Sequence, residues 1–170
     1  MIGLLRIIGV ANASIWLGGS VFFTLAVGPA FFSEEMLRLL GRPHAGAAAQ
    51  VVLERYFAMH QVCAGVALLH LLGEGVYLGR KIQRWTLWLL LGLLVCSLVG
   101  GRVIQPRLQA LHLDMYRPGS VAEGQEAATR SFRLLHGISQ LLNLAMAGGV
   151  VVYLVRLTKA PTEAPRYRFQ

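Results

Sequence analysis

The chain has 170 residues, of which 55% are hydrophobic and 14% charged, where an ordinary soluble domain carries about 25% charge. With a mean hydropathy of +0.56, this excludes a water-soluble globule and leaves little chain for a second domain. The net charge of +8 does not mark a nucleic-acid protein, because the 16 Lys and Arg sit mostly beside apolar stretches, where anionic headgroups attract them. The expected partner is the lipid bilayer.

Four apolar stretches, 7–32, 56–79, 85–103 and 134–157, are each long enough to cross a hydrocarbon core, which takes about 20 helical residues. Ala11-Asn12-Ala13 has the small residues of a signal-cleavage site, but hydrophobicity runs on to Phe32, so the first stretch is read as a retained helix. It ends between Pro29 and Ser33. Ser33-Glu34-Glu35 then starts a short amphipathic helix, with a hydroxyl cap and acids in the first turn, and Gly41-Arg42-Pro43 stops it. The second span starts as early as Ala45.

Arg80, Lys81 and Arg84 fill a tight connection that makes the second and third helices antiparallel neighbours, with Trp85 and Trp88 as interfacial aromatics. Ile104, Leu108, Leu111 and Met115 repeat at helical spacing, which carries the third helix past a bend at Pro106. Pro118-Gly119-Ser120 is a turn, and a polar helix from Val121 runs into the fourth span. The expected fold is an all-α integral membrane four-helix bundle, antiparallel and up-down. Its amphipathic extensions lie in the 1–2 and 3–4 connections. One domain covers 1–159, and a flexible tail covers 160–170.

This topology places both termini on one side. Basic residues divide equally between the sides, but those on the terminal side (Arg6, Arg80, Lys81, Arg84, Arg156, Lys159, Arg166 and Arg168) cluster near span ends. That density favours cytoplasmic termini, in a bacterial inner membrane.

Polar residues at membrane depth carry most of the functional information, since leaving one in hydrocarbon costs a few kcal/mol. Tyr56, Met59, Cys63, His70 and Glu74 share a stripe of the second helix, with His60 on its shoulder; His136, Gln140 and Asn143 share one on the fourth; Asn12, Trp16 and Gly19 align on the first. Depth arithmetic on alternating helices gathers Glu54, Arg55, His60, Arg102, Gln105, Arg107, Arg133 and His136 at the mouth opposite the termini. Glu74 falls toward the other side, near Arg6 and Asn12. Cys63 and Cys96 lie at similar depth and read as packing residues. His70 reads first as a hydrogen-bonding residue between helices. His60 and His136 stay open between packing and ligation, with Met59 and Cys63 as softer donors nearby. Arg102, Arg107 and Glu54 read as an ion-pair network closing the mouth. Gly18 and Gly19, with Gly92, Gly100, Gly148 and Gly149, read as close-packing positions.

Trp16-Leu17-Gly18-Gly19, Phe22-Phe23 and Pro29 resemble the opening helix of copper resistance D-like membrane proteins. Arg102 with Gln105-Pro106-Arg107, the run from Phe132 to Gly137, and Leu142-Asn143-Leu144 resemble the transmembrane protein 205-like family, over about residues 5–157. The resemblance implies a four-span bundle of poorly defined function. Its eukaryotic relatives are associated with platinum-drug resistance, and the wider group includes proposed copper carriers and a haem-binding protoporphyrinogen oxidase. Asn12 stands where the wider group commonly carries a first-helix histidine. The polar signature falls on Arg102, Pro106, Arg107, His136 and Asn143 and brings no established role.

Three functions are therefore expected to compete. The first is handling of a soft or borderline metal such as copper through His60 and His136. The second is a b-type haem held by the same histidines. The third is a non-catalytic accessory or scaffold subunit, in a homo-oligomer or a larger membrane complex. No nucleophile setting, phosphate-binding glycine loop or metalloprotease motif is present in the sequence, so an enzyme is expected only through a bound cofactor.

Overall fold

The computed structural model describes residues 2–79, 81–119 and 121–159; the expected tail at 160–170 and Arg80 and Ser120 lie outside them. Every regular element among the described residues is helical. Helix α1 (Ile2–Phe22) continues through a π turn (Phe23–Val27) into a last α turn (Gly28–Ala30). Helix α2 (Glu34–Leu78) follows, then α3 (Arg84–Val99), a second π turn (Gly100–Ile104), α4 (Gln105–Met115) and α5 (Ala122–Thr158). Four of the helical runs are long and apolar enough to cross a membrane, and their outward faces carry Ile7, Ile15, Leu25, Val62, Leu69, Trp88, Leu141 and Leu144, all exposed. Such surfaces need lipid around them, so the chain is an integral membrane protein.

Local chemistry explains the breaks. Ser33 caps α2 by accepting from the Met36 N–H at 3.3 Å, with Glu34 and Glu35 in the first turn. Gly41, at φ 69° and ψ 161°, interrupts α2 in a conformation that side chains disfavour, and Pro43 sits where the restarted helix has no N–H to satisfy. Gly79 closes α2 in the left-handed region. Pro29 and Pro106 each lack an N–H, and their rings crowd the carbonyl four residues back. Just before each proline the helix has widened: the Gly28 N–H bonds the Phe23 carbonyl and the Gln105 N–H bonds the Gly100 carbonyl, five residues back.

Helix α1 packs against α2 and α5, and the α3–α4 rod packs against the same two. Along α1 and α2 the contacts run in opposite senses, Leu5 with His70, Asn12 with Cys63, Trp16 with His60 and Phe23 with Tyr56. The core between the helices holds Trp16, Leu71, Leu90, Met146, Val150 and Tyr153, with small Ala13, Ala64 and Ala67 allowing close approach. Gly19 makes room for Met59, Gly100 for Phe57 and Gly149 for Leu93. Gly18, Gly92 and Gly148 meet nothing within 4 Å, so the close-packing role expected of them falls to their neighbours.

The rods are unequal in length. Helix α5 runs for 37 residues, about 55 Å, whereas α1 and its extension stop at Ala30. Beyond that point α2, α4 and α5 continue without a fourth partner.

Candidate functional site

The missing fourth wall leaves a cleft of about 1520 Å³. It is lined by the end of α1 (Phe23, Thr24, Pro29, Phe31, Phe32), by α2 from Arg42 to Phe57, by His112, Met115 and Tyr116, and by α5 from Ala122 to Asn143. Nothing from α3 lines it. This exceeds the several hundred Å³ of an ordinary small-molecule pocket, and its walls change character with depth.

At the deep end Phe23 stacks on Tyr56, with ring centroids 4.1 Å apart. The Tyr56 hydroxyl donates to Asn143 Oδ1, Asn143 Nδ2 donates to Thr24 Oγ1 at 2.8 Å, and Thr24 donates to the Ser20 carbonyl at 2.8 Å. Each donor in this chain is used, so it ties α1, α2 and α5 together at the cleft floor. Midway up, Gln50 is 8% exposed; its carbonyl lies 3.5 Å from Gln105 Nε2, while its side-chain Oε1 is buried with no partner among the described residues. A buried acceptor left so costs about 1–3 kcal/mol. Near the rim His112 donates from Nε2 to the Pro43 carbonyl at 2.9 Å, its ring seated over Gly46. Arg42, Arg130 and Arg133 line the rim against one carboxylate, Glu126, and none of the three arginines has an ion-pair partner among the described residues.

Below the floor, the three remaining polar clusters are closed. Trp16 Nε1–H donates to His60 Nδ1 at 2.8 Å, which places the His60 proton on Nε2, 3.4 Å from Ser20 Oγ; Ser20 in turn donates to the Trp16 carbonyl at 2.7 Å. Both imidazole nitrogens are thereby engaged. His70 donates from Nε2 to the Leu5 carbonyl at 2.9 Å and accepts from the Tyr153 hydroxyl at 3.4 Å. Glu74 Oε2 lies 2.7 Å from Arg156 Nη2, close enough for a strong ion pair though off the line of a straight hydrogen bond.

Several expectations are corrected here. Tyr56 and Asn143 touch, which sets a common level; His60 lies four residues inward of it and His136 seven outward, so the two histidines are about 16 Å apart along the bundle. His136 lines the cleft, stacked on Phe132 with centroids 5.8 Å apart, and makes no hydrogen bond to the described residues. Among the described residues no group of three His, Cys, Asp or Glu side chains could hold a metal ion, and a two-histidine copper or haem site does not fit this geometry. Met59 packs on Gly19, and Cys63 and Cys96 are free thiols in and beside the core.

The mouth network does not form either. Glu54, Arg55 and Arg102 are exposed without ion-pair partners among the described residues, and Arg107 faces a shallow groove beside Leu111 and Leu135. Of the predicted polar residues, Tyr56, Arg133, Gln140 and Asn143 reach the cleft with His136. Glu74 pairs with Arg156, not with Arg6, which bonds the Thr158 carbonyl, or Asn12, which donates to the Cys63 carbonyl at 3.0 Å. Arg42, Gln50, His112 and Arg130 were not anticipated. The row Arg42, Gly46, Gln50, Leu53 and Phe57 has helical spacing and is the signal that would have found the α2 wall.

No curated protein and no solved structure matches the chain. Residues 12–117, more than half of the 170, match the family described as "Domain of unknown function (DUF4149)". The matched segment includes both π turns, the α2 wall of the cleft and His60, and on this match the chain belongs to the DUF4149 family.

Proposed function

We propose that this protein is a four-span, up-down membrane bundle that binds an amphiphilic molecule drawn from the bilayer in the cleft above α1. The observation that carries the reading is the cleft's composition along its depth. Apolar Phe31, Phe32, Ala49, Leu53 and Leu134 line the same space as Arg42, Arg130 and Arg133, which have no ion-pair partner among the described residues. An apolar body with a polar head satisfies both parts, whereas water alone would leave the aromatic walls wetted. The role is binding or carriage, with no bond made or broken, since none of the lining side chains forms a nucleophile and base pair.

The test is mass spectrometry of the intact protein released from its own membrane. Wild type should carry about one acyl-containing adduct, and Ala49→Trp, which projects a large ring into the cleft, should lose it with the fold intact. Wild type free of any adduct would overturn the reading.

Haem is the second reading, favoured by His136, whose imidazole lines the cleft of about 1520 Å³ and makes no hydrogen bond to the described residues. It takes a single axial histidine, and a Soret band lost in His136→Ala would support it. A copper role would rest on His136 alone and is the weaker alternative. The dense basic clusters at span ends support cytoplasmic termini in a bacterial inner membrane. Impermeant labelling of a cysteine introduced at Lys159 tests that orientation.

A further inference from the structure

The proposed cleft also constrains the head of its ligand, and this inference rests on the amphiphile reading. Arg42 comes from α2, and Arg130 and Arg133 from α5; all three line the same rim, opposed by Glu126 alone. Like charges brought to one cleft repel unless an anion lies between them, and none of the three is neutralised by a carboxylate among the described residues.

From this uncompensated cluster, at the rim of a cleft whose inner walls are apolar, we infer that the ligand is an anionic amphiphile whose charged head lies among Arg42, Arg130 and Arg133. The chain then leaves past Phe31 and Leu53, where α1 has ended. Phosphate and carboxylate heads share this chemistry, and arginine takes either in a two-pronged contact.

The experiment reconstitutes the full chain in nanodiscs of phosphatidylcholine doped with phosphatidylglycerol, with oleate, or with neutral diacylglycerol, and counts the molecules retained after transfer to detergent. Inorganic phosphate alone is a fourth arm. Retention of phosphatidylglycerol or oleate over phosphatidylcholine, weakened on the order of tenfold in the Arg130→Gln, Arg133→Gln double variant, is expected. The stronger of the two arms identifies the head. These rim residues are exposed, so the double variant folds, and its circular dichroism should match wild type. Equal retention of neutral and anionic lipids would overturn the anionic head while leaving the amphiphile reading standing. Failure to retain any acyl molecule would overturn both, as would saturable binding of inorganic phosphate without lipid.

Discussion

The Trp16–His60–Ser20 ring offers the sharpest test of how the bundle is held. Trp16 and His60 are both fully buried, and their contact ties α1 to α2 beside the Ser20–His60 and Asn12–Cys63 contacts. His60→Leu removes the acceptor of the indole N–H at nearly constant volume and strands that donor where water cannot reach it, which should cost about 1–3 kcal/mol. Trp16→Phe strands His60 Nδ1 instead and also loses part of the ring that packs against it, at a cost of about 2–3 kcal/mol. In the double variant neither group is stranded, so the total should fall short of the sum by about 1 kcal/mol, within the range of hydrogen bonds measured between membrane helices. Unfolding in mixed micelles, followed by far-ultraviolet circular dichroism, gives the four stabilities of the cycle. Additivity within about 0.3 kcal/mol, or a neutral His60→Leu, would refute the reasoning.

Other outcomes follow from the same packing. Gly9→Ala would place a methyl 2.6 Å from the His70 ring and should destabilise by about 1–3 kcal/mol in the same assay, whereas Gly92→Ala, with nothing within 4 Å, should be neutral or stabilise by up to about 1 kcal/mol. Glu74→Gln alone strands the largely buried Arg156 guanidinium, whose side chain is 17% exposed, and should lower the melting temperature more than Glu74→Leu combined with Arg156→Met does. Because His60 has no free nitrogen, copper content measured by mass spectrometry should be the same in wild type and His60→Leu, while a difference would return His60 to the candidate ligands.

Most of the fold was legible because hydrocarbon imposes a simple constraint: a span must be long, apolar and internally hydrogen-bonded. The breaks were legible for equally local reasons. Ser33 with two acids, Gly41 before Pro43, Gly79 and Pro106 each act through their own backbone chemistry, and the elements begin or bend there. The site was less legible because depth along a helix can be counted from sequence while the direction around it cannot once the turn widens. Arg102 sits inside the second π turn and Arg107 just after it, so a phase carried forward at the ordinary helical period misplaces both. His60 and His136 failed for a different reason: the spans extend well beyond the expected ends, and counting depth from those ends set two residues about 16 Å apart at one mouth. Gln50 escaped notice because a lone glutamine in an alanine-rich helix gives no sign that its oxygen is left without a donor.

The early end of α1 thus turns a packing feature into a site: four helices close the lower bundle with satisfied polar pairs, and three leave a cleft with unsatisfied ones. An experimental structure determined in a lipid bilayer tests this directly. Elongated density is predicted beside Phe31 and Leu53, with its head among Arg42, Arg130 and Arg133. A cleft closed by its own side chains, or occupied by water alone, would contradict it.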